Sequence, residues 1–528
     1  MTILNTITLQ HNLVDIWRDQ HRDFRNFTWT GQNPHDSSYI HTRIDKFYVT
    51  KTLTNVITTT AIIPFPFSDH DTILLTINLQ QYQCGNGYWH FNNSLLTDHI
   101  FNAEINNFWK TWITKKTTFP NLLQWWDKAK YHFKNISIQR SSTLRKIESN
   151  ERQRLEFKVQ KLQNNIANGN DHGTKAYLQA KTELQQLHQK DLDALKIRTQ
   201  IKYAEEGEKS MRYFYSLERG NQTKQTINVL TKDNLDTITE SIDIFTETHT
   251  FYKHLYSSEP IDQHKQDAFL QINTPILSTN ELNLCEGHVT EQELNKALFS
   301  MENNKSPGLD GLSTNFFKHF WNILGHELTK ILNFAYENGS LALSQRRGVI
   351  SLLFKKGDRT KLKNWRPITL LNTDYKILTK ALANRLQQIL PLLIHTDQTA
   401  CIPGGTINDN LRLIQDAIHY ANKTQTPLAI ISVDQLKAFD RMSHDYLFKI
   451  LLKFGFGPSF LQWIEILYTD TMSSVKVNGW MTAFIPLQRG LRQGCALSMP
   501  LYILTAELLA IHIRLNDNIK GLSYPNRW

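Results

Sequence analysis

The sequence predicts a multidomain α+β protein, and three observations carry that reading. Its 528 residues, 40% hydrophobic and 11% aromatic, suffice for two or three cored domains and exclude a disordered chain. Short β-rich runs, a long charged helical stretch and a turn-punctuated mixed region succeed one another along the chain. The formal net charge of +10 favours polyanionic partners, nucleic acid first among them.

Residues 1 to about 80 alternate polar turns with the runs Lys46-Phe47-Tyr48-Val49, Asn55-Val56-Ile57 and Thr72 through Ile77, which predict part of a sheet-containing domain. Residues 90 to 135 are rich in Trp and Phe (Trp89, Phe91, Trp109, Trp112, Trp125, Trp126) and predict packed helices. From about 141 to 217, Leu155, Val159, Leu162 and Ile166 recur at helical spacing. Asn168 through Gly173 break the pattern, and Leu184, Leu187, Leu192 and Leu195 resume it, so a helical hairpin or short coiled coil is expected. After about 290, turn signals such as Ser306-Pro307-Gly308 and Pro403-Gly404-Gly405 separate apolar helices and strands.

Cys84, Cys285, Cys401 and Cys495 lie far apart and form no metal or disulfide pattern. No apolar run reaches the ~18 residues of a membrane span, and the residues after Met1 do not resemble a secretion signal. An intracellular protein without a membrane partner is expected.

The chemistry concentrates in the last third. Leu428-Ala429-Ile430-Ile431-Ser432-Val433 is continuously apolar and β-branched, which predicts a buried strand delivering Asp434 at its end. Polymerase chemistry needs carboxylates there, to hold Mg²⁺ ions that activate the attacking hydroxyl and neutralise the leaving pyrophosphate. Leu497, Leu501, Leu504, Leu508 and Ile511, spaced 4, 3, 4 and 3, predict a helix with a buried stripe, tolerating Pro500 in its first turn. Between Arg346 and Arg366 stand eight Lys/Arg and one acid, Asp358, a density suited to phosphate.

Several of these segments resemble the reverse transcriptases of non-LTR (LINE-type) retrotransposons. Val433 through Arg441 resembles their first catalytic motif, and Gln488 through Ser498 their glycine-hinged loop. Leu353 through Asp358, Asn364 through Asn372, Asn304 through Gly311 and Tyr375 through Leu386 resemble further motifs of that group. Gly405 departs from it, standing where the family often carries Arg, and puts one template or structural contact in doubt. The resemblance implies that Asp434 ligates Mg²⁺ and that Lys355 or Lys356 and Arg366 face the triphosphate. It also implies that the backbone of Leu436 and Lys437 faces that triphosphate, that Phe439 excludes a ribose 2′-hydroxyl, and that Gln493 lies beside the incoming nucleotide. RNA template, DNA and dNTP are the implied partners, and the nucleus the implied compartment.

Ser68-Asp69-His70-Asp71 and Arg43-Ile44-Asp45, with Thr28-Trp29, resemble the last motifs of the apurinic/apyrimidinic-type endonucleases that many LINEs carry. On that resemblance His70 acts at the scissile phosphate, Asp69 supports it and Asp45 helps bind the leaving group or transition state. The expected organisation is therefore the end of an endonuclease αβ sandwich over 1–80, a helical connector over 81–289, and right-hand polymerase fingers with partial palm over 290–528. The family's aromatic-x-Asp-Asp motif would follow Leu522, and no Asp-Asp pair occurs in the sequence. The expectation is thus a fragment truncated at both ends and inactive as given, the alternative being a non-enzymatic nucleic-acid-binding relic.

Overall fold

The computed structural model describes residues 3–24, 26–32, 39–63, 65, 68–77, 85, 87–167, 174–199, 226–232 and 235–522. They form two compact units, one from 1–83 with 142–224, the other from 84–141 with 225–528.

The first unit contains strands β1 (Leu13–Asp15), β2 (Trp29–Gln32), β3 (Tyr39–Thr42), β4 (Tyr48–Thr50), β5 (Ile57–Ile63) and β6 (Thr72–Ile77). They pair antiparallel as β1–β4, β2–β3 and β5–β6, three separate ribbons among the described residues. Helices α1 (His99–Ile113), α2 (Leu122–Ala167) and α3 (Thr174–Thr199) follow, and the boundary between the units falls within α2 at Ser142. In the first unit, Val159 with Leu162 on α2 packs on Tyr177 and Ala180 of α3, as the heptad-like spacing predicts for a helical hairpin. The side chains of Leu192 and Leu195 lie outside the described residues.

The second unit is organised around a mixed sheet of β7 (Arg347–Phe354), β8 (Trp365–Leu370), β9 (Met472–Val477), β10 (Trp480–Met481) and β11 (Ile485–Pro486). The order is β8-β7-β9-β10, with β11 beside β9; β7 and β9 run parallel and the other pairs antiparallel. Ile350, Leu352, Trp365, Val475, Val477 and Ile485 turn one face inward, and helix α4 (Ser241–Tyr256) covers it with Ile244, Tyr252, Leu255 and Tyr256. Helix α5 (Glu291–Ser300), opened by a Thr290/Glu293 capping box, belongs to the same unit, as do α6 (Thr314–His319) and α7 (Trp321–Glu337). Helices α8 (Thr373–Leu393), α9 (Ile407–Thr424) and α10 (Ser498–Arg514) complete the elements used below.

The compact units divide the chain differently from the three expected segments, since 84–141 and 225–289 share a unit with 290–528. The physical reason is the aromatic run. Trp109, Trp125 and Trp126 are buried, the Trp109 indole donates to the Ile323 carbonyl at 2.8 Å, and Phe133 meets Phe316 with ring centroids 5.5 Å apart. Beneath them the buried Lys130 ammonium lies 2.7 Å from Asp374 and 3.4 Å from Asp310, and Trp126 also donates to Asp374 at 2.8 Å. Burial opposes the Lys130 charge, but Asp374, Asp310 and Asp127 outweigh it and raise the pKa.

One expected strand is corrected. Residues 428–433 form no strand among the described residues and are exposed, Ile431 at 83% and Val433 at 85%. A β-branched run becomes a buried strand only where neighbouring strands take its amides and cover its side chains. The sheet of the second unit pairs other residues and offers this run no such neighbour.

Candidate active site

A cavity of about 610 Å³ opens in the second unit, lined by three stretches of chain. The β7–β8 hairpin contributes Lys355, Lys356, Lys363 and Arg366, all exposed, so four cations share one wall. The turn after the exposed apolar run contributes Asp434 through Asp440, and the loop entering α10 contributes Gln493, Cys495, Ser498 and Met499. The expected residues Asp434, Lys355, Lys356, Arg366, Leu436, Lys437, Phe439 and Gln493 are thus brought to one cavity.

Local chemistry explains how each stretch is held. The Lys355 amide donates to the Asn364 carbonyl at 3.1 Å, closing the hairpin, while Asp358 is taken by the Thr360 amide and hydroxyl. Lys437 adopts φ 49°, a left-handed turn that directs the chain back on itself. Its side chain lies over the Phe251 ring at 4.5 Å, and burial lowers its pKa. Phe439 stacks on Tyr502 at 5.0 Å between centroids, and the Tyr502 hydroxyl donates to the Gln435 side chain at 2.7 Å. Pro500 lies in the first turn of α10, whose Leu497, Leu501, Leu504, Leu508 and Ile511 stripe is buried as the spacing predicts.

Two glycines bring the loop close. Gly490, at φ 93°, would place a Cβ 2.9 Å from the Asp440 carbonyl oxygen, and Gly494, at φ 118°, would place one 2.5 Å from that of Thr369. Only glycine suits both positions, and the gap they leave lets the Thr369 amide donate to the Gln493 carbonyl at 2.6 Å. At Gly405 a side chain would meet the Thr399 carbonyl at 2.5 Å, so this backbone has no room for the family's arginine.

The sequence reading gave no role to Asp440, Tyr256, Phe251 or Lys363. Asp440 stood inside a quoted motif, but its signal as a buried carboxylate is tertiary. Tyr256 and Phe251 lie nearly 200 residues upstream of Asp440, and no local pattern ties them to it.

For a metal, the donor set is incomplete. Among the described residues no group of three His, Cys, Asp or Glu could hold an ion. Asp434 and Asp440 are the two carboxylates in the cavity lining, and one Asp440 oxygen is already engaged by Gln493 and Tyr256, so the pair falls short of the several ligands such a site needs.

In the first unit, Thr28 Oγ1 accepts from the amides of Ile44 and Asp45, fixing the latter, and Asp45 lies 2.7 Å from His70 Nδ1. The Asp45 hydrogen bond raises the His70 pKa against desolvation. Asp45 makes the hydrogen bond to the ring. Asp69 accepts from the Trp29 indole at 2.9 Å and from Ser68 at 3.2 Å, and it acts on His70 through its charge. Asp71 is buried against the Phe65 amide and Gln163 of α2, and burial raises its pKa.

Residues 354–524, which contain every residue lining this cavity, match the family described as reverse transcriptase (RNA-dependent DNA polymerase), which gives the class of the second unit. Over 507 residues, 96% of the chain, the sequence is 35% identical to the transposon TX1 uncharacterized 149 kDa protein of Xenopus laevis. It is 28% identical over 172 residues, 32% of the chain, to a retrovirus-related Pol polyprotein from the type-1 retrotransposable element R2 of Popillia japonica. Over 265 residues, 48% of the chain, it is 24% identical to the RNA-directed DNA polymerase from mobile element jockey of Drosophila melanogaster. The chain spans 38%, 24% and 28% of the lengths of these three relatives. Residues 354–524 thus carry a reverse transcriptase domain, within a chain similar to non-LTR retrotransposon proteins. No helix among the described residues is long and apolar enough to cross a membrane.

Proposed function

We propose that the second unit binds a template–primer duplex and an incoming deoxynucleotide, as part of RNA-templated DNA synthesis. The observation that carries this reading is the single cavity lined by Lys355, Lys356, Lys363 and Arg366 on one wall and by Asp434, Phe439 and Gln493 on the others. Arg366 can grip the triphosphate bidentately and the lysines act as point charges. Phe439, stiffened by its stack on Tyr502, excludes a ribose 2′-hydroxyl by occupying the space that oxygen needs. Asp434 would supply one carboxylate toward a Mg²⁺ ion, which would neutralise charge on the triphosphate. Residues 1–80, where Asp45 meets His70 and Asp69 meets Trp29, belong in this reading to an endonuclease domain.

A second reading, binding without turnover, is favoured by the donor count: among the described residues no group of three His, Cys, Asp or Glu could hold a metal ion. Primer extension on poly(rA)/oligo(dT) with Mg²⁺, comparing the chain with Asp434→Ala, tests both. Duplex retention without incorporation by either protein is the expected result. Incorporation that disappears in Asp434→Ala establishes turnover and removes the second reading. Failure of the folded chain to retain duplex removes both.

A further inference from the structure

Six residues past Asp434, Asp440 is 2% exposed, and one of its carboxylate oxygens accepts two hydrogen bonds. One comes from Gln493 Nε2 at 2.9 Å, the other from the Tyr256 hydroxyl at 3.2 Å. A carboxylate can only accept, so the amide edge turned to it is the NH₂ of Gln493, and Oε1 is left on the other edge. The backbone on both sides is fixed. The Gly490 amide donates to Met442 and the Leu491 amide to Phe439, both at 2.7 Å, and the Gln493 carbonyl is taken by Thr369.

Tyr256 is anchored just as closely, although it precedes the matched segment by almost a hundred residues. The Gln488 amide donates to the Tyr256 carbonyl at 3.0 Å, Ser258 N donates to the Gln488 side chain at 2.9 Å, and Arg489 donates to the Leu255 carbonyl at 2.8 Å. Glu259 then bridges Arg489 and Arg441 at 2.8 and 3.0 Å, and these two guanidiniums hold its carboxyl down at about 2. The end of α4 is thereby clasped to the loop that carries Gln493.

Resting on the nucleotide reading of this cavity, we propose that Asp440, itself held by Tyr256, is the positioning residue that sets which edge of the Gln493 amide faces the nucleotide. Without it the amide is free to rotate or flip, and Gln493 presents donor and acceptor in turn. Burial raises the Asp440 pKa, opposed by the Gln493 bond and by the charge of Lys437, so this carboxylate is kept dry at a cost that its two hydrogen bonds offset.

Retention of labelled dTTP by the full chain on poly(rA)/oligo(dT) duplex tests this in a double-mutant cycle. Gln493→Ala and Asp440→Ala are each expected to weaken dTTP retention about tenfold, and the double variant no further, because Asp440 acts through Gln493. Tyr256→Phe, which removes one oxygen from a position that stays packed, is expected to weaken it about threefold, and to change nothing in the Gln493→Ala background. A merely structural Asp440 would lower the melting temperature and leave the affinity of the folded fraction unmoved. Multiplying effects, or wild-type affinity in folded Asp440→Ala, overturn the proposal. If Asp440→Ala does not fold, Tyr256→Phe decides: an equal loss with and without Gln493, or no loss at all, overturns it. A wild-type chain that retains duplex but no dTTP overturns the nucleotide reading and the positioning role together.

Discussion

Asp374 accepts hydrogen bonds from Lys130, Trp126 and Gln345 with no exposure at all, so its removal takes the nearest carboxylate from a buried charge and leaves two buried donors unpaired. Asp374→Ala is expected to destabilise the chain by about 3 kcal/mol, read from urea unfolding, because Lys130 keeps only the more distant Asp310 and Asp127. His70 behaves differently, being about 40% exposed in its side chain. Its folded pKa is raised above the unfolded value of about 6.5 by the Asp45 hydrogen bond. The stability it contributes is therefore complete below about pH 6.5 and is lost as the pH rises through the folded midpoint. An NMR titration should place the wild-type midpoint above 6.5, and Asp45→Asn should bring it back toward that value. A wild-type midpoint at or below 6.5 would remove the pair.

At the scale of elements, the loop from Gln488 to Ser498 shows how much was legible and how much was not. The buried stripe of α10 followed from its spacing, because a helix exposes its packing face in its own periodicity. The need for glycine at 494 is tertiary: Thr369 approaches from β8 and leaves no room for a Cβ. Gly494→Ala is expected to cost about 1–3 kcal/mol through the forced left-handed backbone and the clash. It should also weaken dTTP retention, since the Thr369–Gln493 hydrogen bond has to open. A variant as stable as the parent in urea would contradict this. The run 428–433 is the opposite case. Its composition predicts a buried strand, yet it lies exposed, because strand formation depends on partners that periodicity does not reveal.

At the scale of the whole molecule, the net charge of +10 is unevenly spent. Arg385 is consumed by Glu293 and four backbone carbonyls, and Lys130 by buried carboxylates, whereas Lys355, Lys356, Lys363 and Arg366 face the open cavity. If these four cations each neutralise one phosphate, the log–log salt dependence of nucleic-acid binding should have a slope of about −3 to −4. Arg366→Ala should flatten that slope, while Lys146→Ala or Arg152→Ala in α2 should leave it close to the parent's. Salt-independent affinity would show that the basic wall does not meet the backbone.

The sequence by itself determined the resemblance to reverse transcriptases, the cationic β7–β8 hairpin, the packed aromatic helices and, Lys363 and Asp440 apart, the polar residues gathered at the cavity. Those features rest on local motifs and on periodicities that a single element carries within itself. Only the tertiary structure decided that Asp440 meets Gln493 and Tyr256, that Lys130 meets Asp374, that His70 turns to Asp45, and that residues 428–433 remain uncovered. Each of these is a pairing or a missing pairing between distant segments. Desolvation makes such a contact decisive once it forms, but nothing in the neighbouring residues announces it.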